Sequence, residues 1–386
     1  MVNVNAQIGR LHDWMRDVML PLWLRQSERL NSNAHAELVC EALDAHGKPL
    51  PAPFHRTLVC ARQAFYFLRM ASLMPETQGG VLRLRGLAFL DQLLERYADH
   101  THGGFVRSLN SDGSVHDGDK DLYTLAFVVL ACAEGHRHTR SARYLGVANG
   151  VLKLVEEAFW SPSHGAFHSV MARDLGSARV AAAQNPHMHL FEALSALWDT
   201  SRASGHAEQL KRLATVVDAC FFDPESNAVL ELPRDDHAVP NRIEPGHQFE
   251  WFSLVSERAD LLGTSEFTGH IRRAFDAANR RGLDASGCLV PLTKTTDWHT
   301  IEASNRIWTQ LEWIRALAAD RMTDALVDPS VLPAALDALF KTFLRDYGWI
   351  EMLEGDKVVR SEMPASTPYH FMGCAEELRR LVVSPG

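Results

Sequence analysis

The 386-residue chain is 46% hydrophobic and carries a net charge of −9, from 48 acidic and 39 basic side chains with no long run of either sign. A disordered or fibrous chain is excluded, and without a clustered basic face nucleic-acid binding is not expected. No stretch reaches the roughly 18 to 20 uninterrupted apolar residues that span a bilayer, and MVNVNAQIGRLHDW is not a secretory leader, so a cytoplasmic protein with no membrane partner is expected.

From the amino terminus onward one pattern repeats six times. Amphipathic helices are predicted over 10–29, 81–99, 143–159, 208–221, 267–281 and 331–347, each with apolar residues at helical spacing on one side. Helices apolar on all sides alternate with them, centred on Arg62, Tyr123, His189, Glu250, Glu312 and Glu376. Successive centres are 61, 66, 61, 62 and 64 residues apart. Short alternating segments with Asp or Gly at the turn read as hairpins over 37–50, 103–116, 165–177, 227–239, 287–299 and 348–359, each preceding an apolar helix.

Six one-sided helices covering six fully apolar ones close into a double ring. The expectation is an all-α (α/α)6 barrel with its short β-hairpins at one rim; an open helical solenoid is the competing arrangement. No Pro/Gly/Ser-rich linker interrupts the chain, so residues 1–386 read as one domain. The six cysteines, Cys40, Cys60, Cys132, Cys220, Cys288 and Cys374, lie at least 20 residues apart and form neither a zinc knuckle nor a redox pair. Most of them read as small buried hydrophobes.

The first turns of the apolar helices hold polar residues in apolar context, and burying these is costly without a partner or ligand. EPGHQFEW at 244–251 is the most telling: Pro245 suits a first helical turn, Gly246 permits a close approach of ligand to backbone, and His247 and Glu250 share a face. In QNPHMHLFEA, Asn185, His189 and Glu192 share a face; NRIWTQLEW presents Arg306, Trp308, Gln310 and Glu312, and the last round presents Tyr369 and His370. An imidazole exchanges protons near neutral pH, and a carboxylate such as Glu250 fixes a neighbouring tautomer. Trp308 reads either as core packing or as an aromatic face for a ligand ring, whereas Trp313 reads as core packing.

These segments, NPHMHLFEA, PGHQFEW, W-x-Q-x-E at 308–312 and YH at 369–370, resemble the N-acylglucosamine 2-epimerase superfamily, with its cellobiose 2-epimerases and its aldose–ketose isomerases for mannose and sulfoquinovose. The resemblance runs from Arg62 to His370. It implies that His189, His247 and His370 line a sugar pocket, that His247 and His370 are the catalytic acid/base pair, and that Arg62 and Asn185 bind hydroxyls. Where the epimerases often carry W-P-Q-T-E, this chain has Thr309 and Leu311, which leans towards the isomerase branch.

The expected activity is a sugar isomerase interconverting an aldose and its ketose through a cis-enediol, of the mannose–fructose kind, with a 2-epimerase as the alternative. Such chemistry needs a base near neutral pKa and donors for the developing enediolate, and no cofactor or metal. The expected site is catalytic His247 and His370, with Arg62, Tyr123, Asn185, His189, Glu192, Glu250, Trp308 and Glu312 binding a monosaccharide. Three rivals are a metal site using His187, His189, His247 and His370, an inverting glycosidase using Glu192, Glu250 or Glu312, and a sugar-binding protein without turnover. Oligomeric state is not legible, and a homodimer is left open.

Overall fold

The six segments apolar on all sides form the helices Thr57–Leu73, Leu122–Thr139, Gln184–Ser201, Pro245–Ser256, Ile307–Met322 and Pro368–Val383. In this computed structural model, which describes residues 4–28, 37–236, 238–323 and 325–383, every residue from Ile307 to Asp320 and from Pro245 to Val255 is buried. A helix with no face for water forms only where other helices enclose it. Arg29 and His237, in the first predicted outer helix and the fourth predicted hairpin, lie outside the described residues.

The one-sided segments form the outer helices. In Glu266–Arg281 the buried Phe267, Ile271, Ala274, Phe275 and Ala278 recur every three or four residues, and charged side chains fill the other face. Asp121, Ser141 and Ser265 cap their helices by accepting from the backbone N–H of Thr124, Arg143 and Thr268. The first outer segment departs from the expected single helix: Val4–Trp14 passes into a π-helical turn, Met15–Met19, and then Leu20–Ser27. The cause is Pro21, which has no N–H to return to Asp17; Leu20 N–H reaches back to Met15 O in the wider turn.

The chain divides into two compact units. The first, Leu24–Ala42 with Pro49–Cys220, packs Thr57–Leu73 against Glu76–Arg96 and Leu122–Thr139, and Leu122–Thr139 against Ala142–Ala158 and Gln184–Ser201. Lys120 and Asp99 pair at 2.7 Å in its interior, and Arg173 adds 2.9 Å and 3.2 Å contacts to the same carboxylate. Breaking such a pair would strand a buried charge.

The second unit, Met1–Trp23, Leu43–Lys48 and Phe221–Gly386, packs Ile307–Met322 against Pro245–Ser256, Val331–Thr342 and Pro368–Val383. Pro245–Ser256 lies on Glu266–Arg281, and Val4–Trp14 covers Val331–Thr342 and Pro368–Val383.

Four of the predicted hairpins pair within or across their expected bounds: Ser108–Leu109 with Val115–Asp117, Val170–Met171 with Ala178–Val180, Pro291–Lys294 with Thr300–Arg306, and Met352–Glu354 with Lys357–Arg360. Residues 37–50 close through Asp44 N–H to Lys48 O and Leu50 N–H to Ala42 O. The segment 227–239 is not a hairpin of its own. Ala228–Val229 pairs backwards with Phe222–Asp223, and Glu231 N–H bonds Arg242 O, so the chain loops out after Val229. Pro233, unable to donate to a ladder, prevents the predicted second strand.

Among the described residues no disulfide forms and no helix is long and apolar enough to cross a membrane. Cys60, Cys132 and Cys374 are buried as expected, but Cys40, Cys220 and Cys288 are only half-buried.

Candidate active site

The expected site residues gather into one group in each unit. In the second unit His247 opens the Pro245–Ser256 helix, where Pro245 takes the first helical position. Its Nδ1 lies 2.8 Å from Glu231 Oε1 and 3.5 Å from Glu244 Oε2, all three buried or nearly so. Burial alone would lower the imidazole, but the Glu231 and Glu244 charges outweigh it and push His247 up to about 10. Glu244 is pushed up to about 7 by burial and by the charge of Glu231.

His370, in the first turn of Pro368–Val383, places Nδ1 2.7 Å from Glu312 Oε1. Arg315 NH1 donates to the other Glu312 oxygen at 3.4 Å, and its NH2 donates to Glu257 at 3.1 Å. Trp308 stands against both histidines, ring centroids 5.2 Å from His247 and 5.5 Å from His370. Glu250 belongs with the latter: its carboxylate lies within 4.8 Å of Glu312 and His370, and Tyr369 O–H approaches it at 3.5 Å.

Two expectations are thereby corrected. The carboxylate at His247 Nδ1 is that of Glu231, reaching in from the loop after Val229, where the helix neighbour Glu250 was expected. Gly246 does not open the backbone to a ligand either. A Cβ there would stand 2.7 to 2.9 Å from Trp308 and Thr309, so the missing side chain makes room for the indole. Gln310 is a structural residue, donating to Cys288 O and Ala335 O, and Trp313 is bonded to Asn279 as core packing requires. Thr309, at the position of the family's proline, donates to Val290 O and Arg306 O.

In the first unit Arg62 donates to Tyr123 O–H at 2.7 Å and lays its guanidinium 4.2 Å above the Phe127 ring. Tyr123 and Phe127 both contact the His189 ring, at 4.8 Å and 4.7 Å, and His189 Nδ1 lies 3.1 Å from Glu192. Asn185 sits one turn earlier with its Oδ1 buried and without a hydrogen-bond partner. His187 is occupied structurally: Nδ1 is 2.7 Å from Ala183 O and Nε2 accepts from Phe167 N–H, which removes it from any metal set with His189.

Glu231, Glu244 and Phe127 were not among the expected residues. Phe127 is one turn after Tyr123 in an apolar run, with nothing local to mark it. Glu231 follows a strand sixteen residues before His247, and only the alternation of polar and apolar residues in AVLEL hints at an inward carboxylate.

Glu231, Glu244 and His247 form one grouping with metal-ligand donor types, and Glu250, Glu312 and His370 another. In both, the imidazole nitrogen is at hydrogen-bond distance from a carboxylate, the arrangement of a proton-exchange site.

The family model for N-acylglucosamine 2-epimerase (GlcNAc 2-epimerase) matches residues 39–374. The chain belongs to the N-acylglucosamine 2-epimerase family. It is 27% identical over 398 residues to a mannose-6-phosphate isomerase of Rhizobium meliloti, covering 98% of each chain. It is 28% identical over 262 residues to a D-mannose isomerase of Thermobifida fusca, covering 64% of this chain and 63% of that one. The cellobiose 2-epimerase structure from Bacillus thermoamylovorans superposes with a TM-score of 0.85 at 17% identity, covering 97% of this chain and all of the other, and the fold is accordingly an (α/α)6 barrel. This member of the family is an enzyme of the isomerase class, a sugar isomerase or epimerase.

Proposed function

We propose that the enzyme interconverts a free aldose and its ketose, of the mannose and fructose kind, through a cis-enediol. The observation that carries this reading is the pair of buried histidines, each held at Nδ1 by a carboxylate and both against the Trp308 ring. A carboxylate at Nδ1 selects the tautomer that exchanges protons at Nε2, and supports the positive charge when that nitrogen takes one. His370 is proposed to carry the proton between carbons 2 and 1, and His247 to open the ring and serve the hydroxyl oxygens. Trp308 is proposed to pack on the sugar and Glu250 and Glu312 to hold its hydroxyls or the histidines; Arg62, Tyr123, Asn185, His189 and Glu192 are proposed as sugar-binding residues of the first unit. One base relaying a proton between adjacent carbons yields the ketose, whereas two bases on opposite faces yield the 2-epimer.

Thr309 and Leu311, where epimerases often carry proline and threonine, favour the isomerase outcome. The names of the two isomerase relatives differ in phosphorylation. Four glutamates, Glu231, Glu244, Glu250 and Glu312, surround the histidines and disfavour a phosphate dianion nearby, so the substrate proposed is unphosphorylated. Glu250 and Glu312 approach within 4.8 Å, closer than the roughly 6.5 to 9.5 Å that an inverting glycosidase needs between its carboxyl groups.

The test is a panel of mannose, mannose 6-phosphate, N-acetylglucosamine and cellobiose in deuterated water, followed by NMR. Fructose from mannose, with deuterium at the transferred position, is the expected product. Exclusive conversion of an aldose to its 2-epimer would replace the reading by the epimerase one, and turnover restricted to mannose 6-phosphate would overturn the unphosphorylated substrate. Activity is expected to survive exhaustive chelation and to need no nucleotide; loss restored by one divalent metal would bring the metal reading back.

A further inference from the structure

We propose that Glu231 is a positioning residue for His247: with Glu244 behind it, its carboxylate accepts from Nδ1–H, aims Nε2 and stabilises the imidazolium, so that His247 enters the reaction as the acid of the pair. The proposal rests on the isomerase reading above and names a residue that the family's sequence motifs in this chain do not include.

The frame that aims Glu231 is built into the backbone. Gln248, the residue after His247, clasps Val229 with both ends of its side-chain amide: Oε1 accepts from Val229 N–H at 2.8 Å and Nε2 donates to Val229 O at 2.9 Å. The same Nε2 donates to Glu244 O at 3.2 Å. Two residues beyond Val229, Glu231 N–H is fastened to Arg242 O at 3.0 Å. Carboxylate and imidazole are thus mounted two residues and one residue, respectively, from a single two-point clamp, which is how their 2.8 Å contact is kept. Gln248 is fully buried, so the clamp does not compete with water.

The charges facing His247 decide its protonation. Glu231 approaches from the loop after Val229, Glu244 from the turn before the helix, and Glu250 from the helix itself. Arg242 and Arg306 act on Glu244, with Arg306 NH2 held by Glu351 at 2.6 Å. Beyond Trp308, the Glu312 charge is divided between His370 and Arg315. Burial would lower His247, but Glu231 and Glu244, with a smaller contribution from Glu250, raise it to about 10.

Histidine side-chain nitrogens in isotope-labelled enzyme, followed by NMR from pH 5 to 10.5, supply the test. Wild-type His247 is expected to hold both ring protons through pH 8; a neutral ring at that pH would overturn the proposal without any variant. In Glu231→Gln the His247 titration should move down by roughly one to three units. Turnover should fall about 100-fold with KM changed less than about threefold, and its alkaline limb should shift down with the titration. Glu231→Asp, which keeps the charge, should recover at least part of both. An unmoved His247 titration in folded Glu231→Gln, or turnover within about twofold of wild type, would sink the assignment. Because the titration needs no substrate, a failure of the sugar assay and a failure of this proposal are read separately.

Discussion

His247 and His370 are the same side chain in two electrostatic settings, and the roles proposed for them follow that difference. Glu312, the partner of His370, also receives Arg315, so part of its charge is spent on a guanidinium; Glu231 and Glu244 both bear on His247. Only a ring that is neutral before the step can take the carbon-bound proton, the part proposed for His370, whereas the Glu231 and Glu244 charges suit His247 to the acid's part. His370→Asn is therefore expected to lower mannose-to-fructose turnover by about 10² to 10⁴ while sugar still binds, since an amide cannot act as a base. Stopped assays paired with calorimetric binding check both halves. More than about a tenth of wild-type turnover in His370→Asn would take it out of the catalytic role. His247→Asn should be similarly damaging but partly spared on substrates already in the open-chain form.

At the scale of helices and loops, the twelve helical segments were legible because burial is written in periodicity. Residues apolar on every side, as in FEWFSLV, have only an enclosed position open to them, and one-sided patterns such as FTGHIRRAFDAANRR must lie outside. His247, His370, Trp308 and Glu312 were legible as polar groups in that apolar context. Glu231 was not, because its meaning depends on a loop that folds back over sixteen residues, and neither was the approach of Glu250 to Glu312 and His370 on other helices. Gly246 was noticed for the wrong reason, and its packing makes a prediction. Gly246→Ala pushes a methyl into Trp308 and Thr309, so a loss of about 1 to 3 kcal/mol and a drop in turnover are expected. Gly9→Ala, on an exposed helical position with nothing within 4 Å, should instead be neutral or stabilise by up to about 1 kcal/mol. Denaturant unfolding of both variants decides it: equal destabilisation would mean that the glycine's packing is not what matters at 246.

For the whole molecule, buried charge sets how stability follows pH. His187, buried and neutral, is pushed down to about 4 by burial, so it opposes folding only in acid. Burial raises Glu244 and Glu377 to about 7, each helped by a neighbouring glutamate, and both lose stability as they ionise between about 4.5 and 7. His247 acts above that window. Its ordinary value is 6.5 and its folded value about 10, so between them the folded chain holds a proton that the unfolded chain has lost. Stability then falls as pH rises, by at most about 1.4 kcal/mol per unit from this one group. The melting temperature is accordingly expected to decline from pH 7 to 9.5, and the decline should flatten in His247→Asn. A melting temperature that is level or rising over this range, or an unchanged slope in His247→Asn, would show that the Glu231 and Glu244 charges do not hold His247 protonated. The same scans test the proposal that residues 1–386 are one domain. One transition with equal calorimetric and van't Hoff enthalpies is expected, whereas two resolved transitions would divide the chain along its two compact units.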